Sequence, residues 1–287
     1  MKRLSRNQSN LQRTIGVQVN IRGTGLHSGD RCEVILHPAD EDNGIVFIGN
    51  GEQVAGLATN VVETARGTTL GYNGTKYRTV EHLMAALSGL GVDNCYVEVL
   101  GPEMPALDGS SMPYVEAILT AGIITLAKPR NIFKLTEPIY ARRNDSFILA
   151  VPSDRMKITY VLKYEHPMIG LQTTTFELSE DGFTKEIAPA RTFVMYEEIA
   201  ALLSQHLARG GSIDNAIVIW QDKYSSDLRF KDELSRHKVL DIIGDLALVG
   251  GRMNAEILAV KSGHALNVVF AQELMRHFAG GESKQAA

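Results

Sequence analysis

His237 and Asp241 have the residue types and the spacing of metal ligands. They lie four positions apart in a segment predicted to be a helix, so an imidazole and a carboxylate project from one face, one turn apart. Asp245 follows one turn further along nearly the same face. An ordinary amphipathic helix also keeps such residues on its solvent side, opposite apolar residues such as Val239 and Leu240. On this segment alone, the solvent-face interpretation is favoured over a metal site.

A second carboxylate–histidine pair opens a helix in the first half of the chain. Glu81 and His82 lie in the first turn of a helix predicted over Val80–Leu90, with Thr79 as a candidate N-cap. Aligning His82 with His237 superposes two helices that each end at a glycine and lead to an asparagine and an alternating strand. The pattern indicates an internal duplication of one sheet-plus-helices unit.

Packing of the two related helices would complete a three-ligand site. His82, His237 and Asp241 would supply two imidazoles and a carboxylate, and they would leave a fourth position for water. Zn2+ suits this set best, as one ion per chain, and Fe2+ is also possible. Glu81 is then a candidate general base, because a helix N-terminus favours an anionic carboxylate. The alternative for Glu81 is an ordinary interaction with the helix dipole.

Two other polar residues stand beside predicted helices of the second half. His264 lies in a glycine-containing turn, where a carboxylate such as Asp245 could keep its imidazole protonated for donation to a leaving amine. Thr192 would offer a hydroxyl at the start of a helix predicted over Phe193–Leu207. The alternatives are a solvated loop histidine and an N-capping threonine.

Composition excludes some classes of partner. The 287 residues are 44% hydrophobic and 22% charged with a net charge of -4, which is typical of a globular protein without a basic nucleic-acid surface. No apolar stretch is long enough for stable membrane insertion. Two cysteines without a disulfide framework favour a reducing, cytoplasmic location. Nothing demands a partner chain, so a monomer is expected.

The strand and helix patterns of the two halves predict an α+β fold of two similar sheet-plus-helices domains, arranged as a layered sandwich. The proline at Lys128–Arg130 marks the boundary, which gives domains at 14–128 and 129–279. The polar ends, 1–13 and 280–287, are expected to be flexible tails. Strands are expected in both halves, over residues 16–21, 32–36, 44–48, 94–100, 133–139, 146–151, 157–164 and 254–260.

Five motifs in one order carry a family resemblance. They are Gly23–Gly29, Thr79–Leu83, Ala190–Phe193, Arg236–Leu246 and Lys261–Asn267. Together they resemble the UDP-3-O-acyl-N-acetylglucosamine deacetylases, the zinc amidases of bacterial lipid A biosynthesis, over roughly residues 14 to 275. The resemblance implies two domains of like fold with the active site between them, a UDP-acyl-glucosamine substrate and release of acetate.

The resemblance also implies roles for individual residues. His82, His237 and Asp241 match the family's zinc ligands, and Glu81 matches its general base. Thr192 matches the hydroxyl that stabilises the oxyanion, and His264 matches the electropositive or acid group, with Asp245 as its partner. Lys238 and His27 match contacts to the polar or diphosphate part of the substrate, Tyr164 an aromatic on the uridine side, and Phe193 a wall of the acyl channel. Another zinc amidohydrolase or peptidase remains an alternative, and so does a non-catalytic nucleotide-sugar or lipid-binding protein.

Overall fold

The computed structural model describes residues 10–285 of the chain, with side chains described for residues 10–279. The first half contains, in chain order, β1 (Leu11–Ile15), β2 (Val19–Thr24), β3 (Arg31–Pro38), β4 (Ile45–Gly49), β5 (Glu52–Ala55), β6 (Val61–Glu63), β7 (Thr69–Tyr72), β8 (Thr75–Tyr77), α1 (Glu81–Gly89), β9 (Cys95–Leu100), α2 (Met112–Ala121) and β10 (Ile123–Pro129). A short 3-10 turn at Ala58–Asn60 precedes β6.

The second half begins with further strands and ends with a long helix. Its elements are β11 (Ile132–Lys134), β12 (Ile139–Arg143), β13 (Ser146–Pro152), β14 (Lys157–Lys163), β15 (Leu171–Glu177), α3 (Glu180–Gly182), β16 (Phe193–Met195), α4 (Tyr196–Ser204), β17 (Ile217–Ile219), α5 (Glu233–Ala247), β18 (Arg252–Val260) and α6 (His264–Gln285). The predicted α+β class is therefore confirmed at the level of mixed sheets and helices. No helix among the described residues has the length and apolar character needed to cross a bilayer.

Two sheets, one in each half, have the same strand arrangement. The first runs β2-β3-β9-β4-β5 and the second β12-β13-β18-β14-β15, with β11 also paired to β18. Neighbours are antiparallel except for one central parallel pair in each path, β4 with β9 and β14 with β18. In each sheet, the last strand of the repeat lies in the centre and directly follows a helix, α1 or α5.

Alternation of side chains gives each sheet one buried face. In β18, Met253, Ala255, Ile257 and Ala259 are buried while the residues between them are half-buried, as the period of two requires. Helix α5 packs against β14 and β15, and α6 packs against β12 and β13. Burying the apolar face of the sheet under these helices forms the core of the second half.

Helices α1 and α5 pack closely on one another. Helix α1 is buried along its whole length except at Ser88, as expected for a helix covered on all sides. Gly244 of α5 lies so close to α1 that a Cβ atom there would collide with the backbone carbonyl of Glu81. The absence of a side chain at Gly244 therefore allows the contact between the two helices.

The predicted N-terminal tail is too long. Residues 1–9 lie outside the described residues, but Leu11–Ile15 form β1, which pairs antiparallel with β10. Gln12 and Arg13 are buried there, and the Gln12 amide donates to Asp42 at 2.7 Å. The polar composition of this strand is typical of a solvated tail, but its side chains find hydrogen-bond partners inside the fold.

The flexible C-terminal tail predicted over 280–287 stays a prediction. The backbone of α6 stays helical to Gln285, and residues 286–287 lie outside the described part. Extension of a helix that is already packed costs much less than nucleation of a new one, so the polar composition of this end does not terminate α6.

The predicted helix over Phe193–Leu207 begins too early. Residues Phe193–Met195 form β16, which pairs in parallel with β17, and α4 begins only at Tyr196. The prediction that Thr192 caps a helix is therefore wrong, because a strand follows it. Thr79 is not an N-cap either, since its backbone φ is +59° and its hydroxyl donates to Glu103 at 2.8 Å.

Candidate metal centre and active site

Three potential metal ligands meet where α1 packs on α5. One ligand atom from each of His82, His237 and Asp241 lies within 4.8 Å of the other two, and all three residues are buried. The Nε2 atom of His237 is 3.4 Å from Asp241 Oδ1, and that of His82 is 3.9 Å from the same oxygen. The interpretation of His237 and Asp241 as a solvent-exposed helix face is therefore wrong, because 2% of each is exposed.

The protonation states of the three residues suit metal binding. Burial, with repulsion from the neighbouring His237, lowers the pKa of His82 to about 3, and burial also lowers the pKa of His237. Burial opposes ionisation of Asp241, but the Lys238 ammonium holds its pKa below the usual range. The cluster thus offers two neutral imidazoles and one carboxylate.

Hydrogen bonds orient two of the ligands and leave one atom unsatisfied. The Nδ1–H of His237 donates to the carbonyl of Ala190 at 3.0 Å, which leaves the Nε2 lone pair directed at the cluster. Lys238 Nζ donates to Asp241 Oδ2 at 2.8 Å. The other oxygen, Asp241 Oδ1, is buried without a hydrogen-bond partner. A buried acceptor without a donor is costly, and a cation between the imidazoles would satisfy it.

Glu81 stands next to this triad. Its Oε2 accepts a hydrogen bond from the backbone N–H of Thr68 at 2.9 Å, and its Oε1 lies 3.7 Å from His264 Nε2. Burial raises the pKa of Glu81 to about 7, although the positive charge of His264 opposes the shift. A carboxylate with a pKa near neutrality can both accept and return a proton in a catalytic cycle.

His264, the first residue of α6, is paired with Asp245. Its Nδ1–H donates to Asp245 Oδ2 at 2.9 Å, and the Asn267 amide donates to the same oxygen at 2.9 Å. Burial lowers the pKa of His264, but the carboxylates of Asp245 and Glu81 outweigh it and raise the pKa to about 10. The structure therefore brings His264 and Asp245 together in the relation that the sequence predicted, with a cationic imidazole facing Glu81.

A cavity of about 340 Å3 opens beside the cluster. Its polar end is formed by the triad with Glu81 and His264. The remainder of its wall is mostly apolar, and includes Leu26, Phe193, Val194, Ile199, Leu202, Ile213, Ala216 and Val218. The cavity therefore joins a charged centre to a space suited to a hydrocarbon chain.

Most of the other predicted site residues line this cavity. Lys238 lies 5.4 Å from the ring of Phe193, and both face the cavity. Thr192 lines it too, in a backbone held by hydrogen bonds to Gly109 and Ile217. Tyr164 does not line it but packs edge-to-face behind Phe193, with ring centroids 6.3 Å apart.

His27 reaches the cavity from the loop between β2 and β3. The backbone N–H of Ala208 donates to its Nδ1 at 3.3 Å, and its Nε2 lies 3.2 Å from the carbonyl of Arg66. These two bonds match a neutral ring with its proton on Nε2.

Several residues that support the site carry no motif of their own. The Thr68 hydroxyl donates to Asp245 at 2.6 Å, and its backbone N–H donates to Glu81. Thr68 therefore contacts both of the carboxylates that lie close to His264. Glu103 is fully buried and accepts hydrogen bonds from the backbone N–H groups of His27 and Ser28 as well as from Thr79.

Arg191 and Glu233 form a buried ion pair at the start of α5, the helix that carries His237 and Asp241. The guanidinium Nε donates to Glu233 Oε1 at 2.8 Å, and the pair joins the segment before β16 to the start of α5. The motif containing Arg191 was visible in the sequence, but its partner lies 42 positions away in a segment without a motif.

The α+β fold and the buried triad that could bind a metal place the chain among candidate metal-dependent enzymes. A family model described as LpxC, UDP-3-O-acyl N-acetylglycosamine deacetylase, matches residues 12–276. The chain belongs to this family. All the predicted catalytic and ligand positions fall within the matched range.

Individual relatives are similar over nearly their whole length. The UDP-3-O-acyl-N-acetylglucosamine deacetylase of Thermodesulfovibrio yellowstonii is 41% identical over 267 residues, which cover 92% of this chain and 91% of the relative. The deacetylase of the same name from Chlamydia caviae is 42% identical over 270 residues, covering 92% and 96%. That of Chlamydia pneumoniae is 43% identical over 272 residues, with the same coverage.

Proposed function

We propose that this chain hydrolyses the acetamide of UDP-3-O-(3-hydroxyacyl)-N-acetylglucosamine to give acetate and UDP-3-O-(3-hydroxyacyl)-glucosamine, the committed step of lipid A biosynthesis. The observation that carries the proposal is the buried triad, with the unsatisfied Asp241 Oδ1, next to Glu81 in a chain of this family. The apolar wall of the adjoining cavity supports an acylated substrate.

One Zn2+ per chain is the proposed cofactor, held by His82, His237 and Asp241, and Fe2+ is an acceptable substitute. When bound, the ion supplies Lewis-acid chemistry, which lowers the pKa of a water molecule and polarises the acetamide carbonyl. The two neutral imidazoles and the carboxylate match the donor set of a catalytic zinc site.

The residues around the triad perform the proton transfers. Glu81 removes a proton from the attacking water, a role supported by its raised pKa. The Thr192 hydroxyl donates a hydrogen bond to the oxyanion of the tetrahedral intermediate. His264, kept cationic by Asp245, stabilises negative charge and delivers a proton to the departing amine, with Glu81 as the other possible donor.

The substrate is proposed to lie along the cavity. Lys238 and His27 contact its polar or diphosphate part, and Phe193 forms part of the acyl-chain wall. Tyr164 supports Phe193 from behind, and its assignment to the uridine side of the substrate rests on the family resemblance, since it does not line the cavity.

The proposed organisation is a cytoplasmic monomer of two similar domains, arranged as a layered sandwich that meets near residue 129 with the active site between them. The matching strand orders of the two sheets support the repeat, and the packing of α1 on α5 supports an active site between the halves. The two free, buried cysteines, Cys32 and Cys95, support a reducing compartment.

The direct test is acetate release from the UDP-acyl-N-acetylglucosamine substrate, measured before and after treatment with a chelator and after readdition of Zn2+. We expect activity to disappear with the metal and to return with it. Persistent activity in fully metal-free protein would contradict the proposal.

A Glu81→Gln variant tests the assignment of the base separately. It should keep about one zinc per chain and lose roughly 10²- to 10⁴-fold in kcat, as expected for removal of a general base rather than of a ligand. Glu63→Gln, at an exposed strand residue, is the matched control and should retain full activity. Wild-type kcat in Glu81→Gln would remove Glu81 from the mechanism.

A further inference from the structure

A second cavity, of about 320 Å3, lies at the other end of α1. It is lined by Leu87, Ser88 and Gly91, whereas Glu81 and His82 belong to the first turn of the helix. The two ends of α1 are about 13 Å apart, from the helical rise per residue. This cavity is therefore separate from the metal centre, and no step of the proposed reaction uses it.

Two arginines beside this cavity are fully engaged with partners. Arg13 Nε donates to the carbonyl of Gly91 at 3.0 Å, and its Nη2 pairs with Glu180 at 2.6 Å. Arg130 Nη2 donates to the same carbonyl at 2.9 Å, and its guanidinium pairs with Asp93 at 2.8 Å. Each of these two cations thus has its own carboxylate.

The third arginine, Arg252 at the start of β18, differs from them. Within residues 10–279, its half-buried guanidinium makes neither a hydrogen bond nor a salt bridge, although it lines the cavity. A Cβ atom on Gly91 would collide with the guanidiniums of both Arg252 and Arg13, so the two like charges lie against the same glycine. Burial, together with repulsion from Arg130, lowers the pKa of Arg252 to about 10.

The charges around this cavity do not balance. Among the residues whose side chains are described, the three guanidiniums of Arg13, Arg130 and Arg252 interact with two carboxylates, those of Glu180 and Asp93, one fewer than the number of cations. Asp42 also lines the cavity, but its carboxylate pairs with Lys128. Asp93 and Glu180 also attract Arg252, but each is already paired with another arginine, so the partly buried Arg252 has no carboxylate of its own. An anion in the cavity would offset the cost of burying this charge.

Neutral hydrogen-bond donors complete the site. The Ser88 hydroxyl and the Asn131 amide line the same cavity, and neither side chain has a hydrogen-bond partner among residues 10–279. A planar guanidinium with adjacent hydroxyl and amide donors suits the oxygen atoms of a carboxylate or a phosphate.

We propose that this cavity is an anion-binding site in which Arg252, Ser88 and Asn131 bind a carboxylate or phosphate group of a small molecule. Ser88 belongs to the first half of the chain, and Arg252 and Asn131 belong to the second. A bound anion would therefore connect the two halves at the end of α1 opposite the metal centre and stabilise the folded chain by linkage.

The test is the melting temperature of the full-length, zinc-loaded protein during titrations with inorganic phosphate and, separately, with acetate. We expect a saturable increase with at least one of the two anions, roughly 5 °C at a hundredfold excess over the Kd. The two titrations distinguish a phosphate ligand from a carboxylate ligand. Absence of a response to both anions would overturn the proposal.

Three variants separate specific binding from a general salt effect. Arg252→Gln should abolish the increase and melt at or above the wild-type temperature without anion, because it removes the uncompensated charge. Ser88→Ala should weaken binding about tenfold through loss of one hydrogen bond. Arg22→Gln removes an exposed arginine elsewhere and should respond as the wild type does.

An equal response in the wild type and Arg252→Gln would mean that the anions act on the whole surface, and it would overturn the site. If Arg252→Gln does not fold, Arg252→Lys retains the charge without the planar fork and should bind at least tenfold more weakly. Unchanged affinity in both Arg252→Lys and Ser88→Ala would also contradict the proposal.

Discussion

Asp241 has two oxygen atoms with different surroundings. Oδ2 accepts a hydrogen bond from Lys238, whereas Oδ1 faces the imidazoles without any donor. The lysine keeps the carboxylate ionised and occupies one oxygen, so only the other is available to a metal. Lys238 thus keeps the negative charge on Asp241 and leaves Oδ1 as the oxygen through which the proposed ion would be bound.

Replacement of Asp241 should therefore reduce metal binding. In Asp241→Asn the ligand charge is lost, and we expect zinc content, measured by atomic emission after dialysis, to fall from about one per chain to a small fraction of it. Asp40→Asn, at an exposed loop position, is the control and should retain full zinc. Unchanged zinc in Asp241→Asn would exclude the residue from the site.

We propose that Asp245 acts through His264, with which it shares a hydrogen bond, rather than on the metal. Asp245→Asn removes the charge that keeps the imidazole protonated, so we expect kcat to fall by about 10²-fold with zinc content unchanged. KM should change much less than kcat, because the protonated His264 acts on the acetamide during the reaction rather than on substrate binding. Loss of zinc in this variant would show instead that Asp245 supports the ligands.

At the residue scale, the sequence predicted the candidate ligands but not all of their supports. The triad could be proposed because His237 and Asp241 share a helix and His82 holds the equivalent place in the other half. Thr68 and the Ala190 carbonyl were missed, since a lone threonine and a backbone oxygen carry no pattern. Their roles depend on contacts with α5 that arise only in the folded chain.

At the scale of elements, the contact between α1 and α5 determines whether the ligands meet. Gly244→Ala would place a methyl group against the Glu81 carbonyl and push the helices apart. We expect a loss of about 1–3 kcal/mol in the free energy of unfolding, measured by urea denaturation, together with weaker zinc binding. Gly263→Ala, where a Cβ meets no atom within 4 Å, is the control and should change neither property.

A second contact between elements passes through Glu103, which joins the loop containing His27 to Thr79 before α1. Glu103→Gln should weaken the bonds to the His27 and Ser28 amides, with an expected cost of about 1–3 kcal/mol in thermal unfolding. Because His27 is a proposed substrate contact, KM should increase more than kcat falls. An unchanged KM would separate this loop from substrate binding.

Helix α1, predicted over Val80–Leu90 and found over Glu81–Gly89, could be predicted from its apolar periodicity. The segment that begins at Phe193 could not, because its first three residues suit a strand as well as a helix. Their state depends on a parallel pairing with β17, more than twenty positions away. A local pattern does not contain that partner, and the predicted helix therefore started too early.

At the scale of the whole molecule, the ligands belong to both halves, with His82 on α1 and the other two on α5. A metal that binds only the folded chain stabilises it by linkage. Removal of zinc with a chelator should therefore lower the melting temperature by several degrees, measured by calorimetry. Asp241→Asn serves as the control, since a protein without bound zinc should show no such decrease.

The repeat was visible in the sequence only as two similar helix–strand segments. The structure adds that both sheets have the same strand order with a central strand from the end of each repeat. Sequence spacing could not give this order, because the central strands β9 and β18 pair with strands far from them in the chain. The N-terminal tail was predicted too long for a related reason, since burial of Gln12 and Arg13 depends on β10 and on residues elsewhere in the fold.

The placement of the ligands also sets an order during synthesis on the ribosome. His82 precedes His237 by 155 positions, so the first helix emerges long before the second. A chain of which only the first half has been made offers one imidazole of the triad, too few to retain an ion against competing ligands in the cell. Uptake of the proposed zinc would therefore follow the translation of α5, and a product truncated before that helix would not consume the zinc supply of the cell.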